Sequence, residues 1–196
     1  MGNRALIMNR EYNELNDGDV AIRLLMPSYY NAKEKISAGD IDNVQTSWCT
    51  ILGEGGAQYK RIQEMNRVYK EQSCLTWFYN TFYHRVRILS INCPVESNNK
   101  FFLNIIRCIL CGHQGVLRQE HVQILMAGIE RHCVTFCDVC MIGGVLFTTL
   151  QECLGVEFTS EIKASWVKLY SALLRDVAKL MIPIQQDTKM LLSSMH

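Results

Sequence analysis

From Asp40 onward, apolar side chains return every three or four positions, the period of a helix with one buried face. Val44, Trp48 and Ile51/Leu52 open the series, which stops at the loop Gly53-Glu54-Gly55-Gly56. Tyr59, Ile62, Met65 and Tyr69 form a second amphipathic stretch. It leads into an aromatic-rich helix carrying Leu75, Phe78 and Phe82 that is expected to end near Pro94. Ser97-Asn98-Asn99 offers helix-start chemistry. The next stripe is Phe102, Ile105/Ile106, Ile109 and His113, ending near Gly112 to Gly115.

Val122, Leu125, Ile129 and His132 follow at helical spacing, so His132 shares a face with three apolar residues. Asp138 is read as the cap of a helix with Ile142, Val145/Leu146, Thr149/Leu150 and Cys153 inward, closed by Leu154-Gly155. Thr159 caps a long last helix, with Glu161 in its first turn where an acid suits the helix dipole. Its stripe is Ile162, Trp166, Leu169/Tyr170, Leu173 and Val177, and Pro183 is expected to end it. The pattern predicts an all-α chain of six or seven helices in one domain over residues 40–183. A polar N-terminal extension, partly disordered, covers 1–39, and a C-terminal tail covers 184–196.

Composition narrows the functions. At 48% hydrophobic and 20% charged residues, the chain can bury one real core and is too apolar for disorder. Lys plus Arg number 20 against 19 acids, a net charge of +1, which leaves no electrostatic footprint for nucleic acid. No uninterrupted apolar run approaches the roughly 20 residues of a membrane span. Residues 1–25 hold scattered charge and no secretory apolar region, so a cytoplasmic setting is expected. Met1-Gly2-Asn3 begins like a myristoylation site, but Leu6 stands where Ser or Thr is usual. A single acyl chain on Gly2 would give only weak membrane association. No Gly-x-Ser-x-Gly elbow, His-Glu-x-x-His or phosphate-binding loop is present, which disfavours a conventional hydrolase.

Nine cysteines are an odd number for a closed disulfide framework, and outside a secretory context they read as reduced. Cys108-x-x-Cys111 and Cys137-x-x-Cys140 have zinc-like spacing, yet both lie in apolar helical sequence rather than in tight turns, so a zinc-stabilised domain ranks last. His132 is the more interesting donor. An imidazole on an apolar helix face, opposed by Ile105 and Ile109 of another helix, could form a slot for a flat apolar cofactor.

The order of motifs resembles neuroglobin-like animal globins, with a flavour of the nematode type. Leu154-Gly155-Val156-Glu157-Phe158-Thr159, followed by Glu161, Ala164, Trp166 and Tyr170, is similar to their G–H corner and H helix. Ile142-Gly143 resembles the G helix, Ser47-Trp48 the A helix, and Leu75-Thr76-Trp77-Phe78 with Phe82 the B helix. Phe102 to Ile109 resembles the E helix, and Arg131-His132 the end of F.

The resemblance covers residues 40–182 and implies a globin fold, helices A–H in a three-over-three sandwich. It also implies haem b with its iron on His132, with Phe78, Ile105 and Ile109 on the distal side and Ile142 contacting the porphyrin. O₂, NO or CO would be the ligand, for gas binding, transport, redox or sensing, with enzymatic turnover at most a side activity. Tyr170 would pack or bond to the backbone behind the proximal side.

Four departures qualify this. The usual haem-packing Phe falls at Ile91 or Asn92, and the distal position holds Ile105, which offers no hydrogen bond to bound O₂. Quick O₂ loss or autoxidation would follow. Neither His84 nor His113 is an obvious second iron ligand. The segment between His132 and Ile142 is shorter than is typical, and Gly53–Ser73 stands as an insertion. The alternative is therefore a haem-free globin-fold module for interaction or sensing. Cys133, Cys137 and Cys140, beside His132, are candidates for a thiol switch, while Cys49, Cys74, Cys108, Cys111 and Cys153 fill space on helices.

Overall fold

The computed structural model describes residues 35–65, 72–94, 99–111 and 115–193. Most of the N-terminal extension, Tyr69, Ser97, Asn98 and His113 lie outside them. Among the described residues the chain forms seven α-helices, one short 3-10 turn and no strand. They are α1 (Ala38–Leu52), α2 (Ala57–Met65), α3 (Cys74–Ile88), α4 (Lys100–Leu110), α5 (Gly115–Arg131), α6 (Phe136–Leu154) and α7 (Ser160–Ser193), with the 3-10 turn at Gly155–Glu157. The all-α expectation is met.

Helix α1 begins two residues before Asp40, because Ser37 caps it. The Ser37 hydroxyl accepts from the Asp40 amide and the Asp40 carboxylate accepts from the Ser37 amide, a reciprocal capping box. The same logic starts α6, but with Thr135 as the cap and Asp138 as its partner three residues on, so Asp138 is not itself the cap. Gly155 ends α6 with φ of 60°, a left-handed value that suits glycine. Thr159 caps α7, its hydroxyl accepting from the Ile162 amide.

Helix α7 does not stop at Pro183; it runs to Ser193, so the proposed boundary at 183/184 falls inside a helix. Proline already has a helical φ; its cost is the lost bond to the carbonyl of Lys179 and the crowding of that carbonyl by the ring. Lys179 is on the exposed side of α7, where water can replace that bond.

Helix α1 packs across α7, α3 across α6, α4 against α5, and α6 against α7, while α2 covers the end of α6. The core is aromatic at its centre. Trp48 lies 5.7 Å from Phe78 and 6.3 Å from Trp166 between ring centroids, and Phe82 lies 4.4 Å from Phe102. The α1–α7 seam also carries buried polar contacts. The Trp166 indole donates to Ser47 Oγ at 2.9 Å, and Ser165 Oγ and Lys168 Nζ donate to the Asp40 carboxylate at 3.0 and 3.2 Å. Burial alone would raise the Asp40 pKa, but the bonds from Ser37, Ser165 and Lys168 outweigh it and hold the carboxyl at about 2.

Helix α6 is long and apolar enough to cross a membrane by length and composition. Most of it is buried against α3 and α7, as the central helix of a packed core would be.

Candidate functional site

Helix α5 exhausts its period at Arg131, and the chain must turn at once to begin α6 at Phe136. His132 is the first residue of that turn, and its amide closes the last helical bond, donating to the Gly128 carbonyl at 3.1 Å. Cys133 follows with φ of 52°, in the left-handed region that reverses a chain after a helix. The amide of Val134 then donates back to Ile129 at 3.0 Å. Val122, Leu125 and Ile129 are buried as the spacing predicted, while His132 is half-buried at the rim.

The segment after α3 sits directly on this turn. Asn92 Nδ2 donates to the carbonyls of His132 at 3.1 Å and Cys133 at 2.9 Å, and the Asn92 amide donates to Asp138 Oδ1 at 3.0 Å. One side chain thus satisfies carbonyls left over at the end of α5, and its own amide ties the same loop to the start of α6. Asn92 is one of the two positions where the resemblance calls for a haem-packing aromatic, and here it is a polar clamp. The other, Ile91, is buried.

The predicted pocket walls are in place but closed. Phe78 on α3, Ile105 and Ile109 on α4, and Ile142 on α6 each have 0% exposure and belong to one apolar core. Phe78 turns its ring toward Trp48 and toward Phe102, 6.2 Å away. A porphyrin-sized slot would leave its wall side chains open to water.

Between α4 and α5 the space is taken by Phe101. A Cβ added at Gly128 would stand 3.1 Å from the Phe101 ring, and Phe101 is 2% exposed. Gly128 lies one turn before His132, so the start of α4 rests on α5 where a proximal haem face would lie. The residues as placed do not accommodate haem. Tyr170 bonds to the backbone of α6, its hydroxyl donating to the Val139 carbonyl at 2.6 Å, with its ring against Gly143.

Among the described residues, two clefts lie elsewhere. One of about 530 Å³ lies between α2 and the start of α3, lined by Glu54, Tyr59, Gln63, Gln72 and Cys74 among others. The other, about 600 Å³, lies between α5 and α7 and includes Arg118, Val122, Asp176 and Leu180. His132, Phe78, Ile105, Ile109 and Ile142 line neither.

The zinc reading gains nothing. Among the described residues no group of three or more His, Cys, Asp or Glu side chains could hold a metal ion. Burial pushes the thiols of Cys108 and Cys140 up to about 12, which keeps them protonated and poor as ligands at neutral pH. Of the thiols beside His132, Cys133 and Cys137 are exposed and Cys140 is buried.

Two features escape the sequence pattern. The Asn92 clamp has no periodic mark. The sulfurs of Cys74 and Cys153, assigned to space filling, lie 3.1 Å apart in the core. No family model, curated protein or solved structure matches the chain.

Proposed function

We propose that the chain is a globin-type helical module that works without haem, as an interaction or sensor domain. The observation that carries this is the direct seating of α4 on α5, with the Phe101 ring against Gly128 one turn before His132. The Asn92 bonds to the His132 and Cys133 carbonyls support it, because they tie the loop after α3 to the turn where an open crevice would need room. The order of the motifs supports the globin part of the reading, together with α1 against α7, α3 against α6, and Tyr170 behind α6. Leu180 on α7, which lines the α5–α7 cleft, is exposed, as are Leu117 and Ile124 elsewhere on α5, and they offer apolar surface to a partner. A reducing, cytoplasmic setting fits the nine cysteines.

The second reading is haem b held by His132, with Phe78, Ile105, Ile109 and Ile142 around the porphyrin. It is favoured by His132 itself, an imidazole half-buried where α5 ends. Such a group would supply an iron for O₂, NO or CO. Its entry requires Phe101 to leave Gly128 and the Asn92 clamp to open. Titration of the purified full chain with hemin separates the two. The haem-free reading expects no saturable Soret band in the wild type. A stoichiometric band that disappears in His132→Ala would overturn it in favour of the second.

A further inference from the structure

The cleft between α2 and α3 ends on a sulfur. Cys74, the first residue of α3, lines it, and behind Cys74 lies Cys153, next to last in α6, with the two Sγ atoms 3.1 Å apart. A disulfide bond is about 2.05 Å long, so the pair needs to close by about 1 Å. Both residues are nearly inaccessible, at 2% and 0% exposure, and the loop before α2 guards the approach. A Cβ at Gly55 would stand 2.7 Å from Cys74 Sγ and 2.6 Å from the Tyr59 ring. Gly55 has φ of 79°, so this cover rests on a backbone turn that suits glycine. In the same wall, Gln72 Oε1 is buried with no hydrogen-bond partner among the described residues, an acceptor open to a small O–H donor.

We propose that Cys74 and Cys153 form a two-thiol site that reduces a small hydroperoxide entering this cleft. Cys74 is the attacking sulfur. It is the sulfur of the pair that lines the cleft, and a hydrogen bond from the Cys153 thiol would hold it below the ordinary thiol range, while that bond and burial push Cys153 itself up. The Cys74 thiolate attacks one peroxide oxygen. An S–O bond forms, the O–O bond breaks, and the departing hydroxide or alkoxide takes a proton to leave as water or alcohol.

Cys153 sulfur then attacks the Cys74 sulfenic acid. The S–S bond forms, the S–O bond breaks, and the hydroxide released takes the Cys153 proton as water. Two electrons pass from the sulfur pair to the peroxide, and two protons from the thiols end in the products. The tight cover by Gly55 and Tyr59 selects hydrogen peroxide or a small alkyl hydroperoxide over a peptide disulfide, which must bring its own sulfur in line with Cys74.

The test treats the reduced full chain with hydrogen peroxide, blocks remaining thiols, and maps the peptides by mass spectrometry. The expected product is a Cys74–Cys153 cross-link, two hydrogens lighter, with Cys93, Cys108 and Cys140 still alkylatable after unfolding. In Cys153→Ser, dimedone should trap a sulfenic acid at Cys74; in Cys74→Ser, none should form at Cys153. The wild-type map stands even if a variant folds poorly. A wild type whose Cys74 and Cys153 stay reduced while Cys137 or Cys133 oxidises would overturn the proposal. Closure driven at least as fast by oxidised glutathione at equal concentration would overturn the assignment to hydroperoxide.

Discussion

Gly143 and Gly144 are neighbours in the middle of α6, and the structure predicts opposite outcomes for the same substitution. A methyl at Gly143 would fall 2.4 Å from Tyr170 Cε1 and 2.9 Å from both Cδ1 and Cζ, whereas a methyl at Gly144 meets nothing within 4 Å. The Tyr170 ring has nowhere easy to go. It has 0% exposure, packs at 5.6 Å from Phe147, and is fastened at its hydroxyl to Val139 by a 2.6 Å bond.

Forcing a methyl into a filled core costs about 1–3 kcal/mol. If the ring shifts, losing the buried hydroxyl bond adds about 1 kcal/mol. Against this, either Gly→Ala change gains about 0.5–1 kcal/mol of helix propensity. Gly143→Ala should therefore lose about 1–3 kcal/mol, and Gly144→Ala should gain about 0.5–1 kcal/mol. Urea unfolding followed by far-UV circular dichroism measures both, and the midpoints should separate in opposite directions from wild type. If the two variants have equal stability, the close packing of α7 on α6 through Tyr170 is wrong.

Asp40, held at about 2 against an ordinary 3.8, contributes roughly 2 kcal/mol to stability. Because the folded value is the lower one, that contribution is present above pH 3.8 and is lost as pH falls through 2. Asp40→Asn should be about 2 kcal/mol less stable than wild type at pH 7, and the gap should shrink toward pH 2; a gap independent of pH would contradict the assignment. Asn92→Ala removes two exposed side-chain bonds and should cost up to about 1 kcal/mol. Its sharper mark is faster hydrogen exchange at the Val134 amide, and unchanged protection there would show that the clamp does not hold the turn.

Much of the helical framework was legible because burial on one side imposes a period. The α5 and α7 stripes are where the spacing puts them, and the Thr135/Asp138 pair is recognisable as a capping box in retrospect. The closed site was not legible, for a physical reason. Helix α4 buries Phe101, Ile105 and Cys108 as well as Phe102, Ile106 and Ile109, so it is covered from more than one side. An apolar stripe has the same spacing whether it faces a helix or a prosthetic group, and Phe101 does not announce which. Asn92 reads as a missing aromatic, and only the fold reveals the two carbonyls it serves. Pro183 does not end α7 because its fixed φ is helical and the carbonyl it crowds and leaves unbonded, that of Lys179, lies on the exposed side, where it can tilt out to water. The short spacings among Cys133, Cys137 and Cys140 stand out in the sequence, whereas Cys74 and Cys153, far apart along the chain, are brought together only by the fold.

The seam between α1 and α7 also sets an order of events during synthesis. Asp40 must wait for Ser165 and Lys168, and Ser47 for Trp166, partners 119 to 128 residues further along the chain. At a translation rate of about 5–20 residues per second, that delay is roughly 6–26 s. Throughout it the apolar face of α1, with Trp48 at its centre, has emerged without α7, the last of the helices that cover it. A nascent chain stalled before Trp166 would present that face to chaperones and proteases, and release of α7 would be the step that withdraws it.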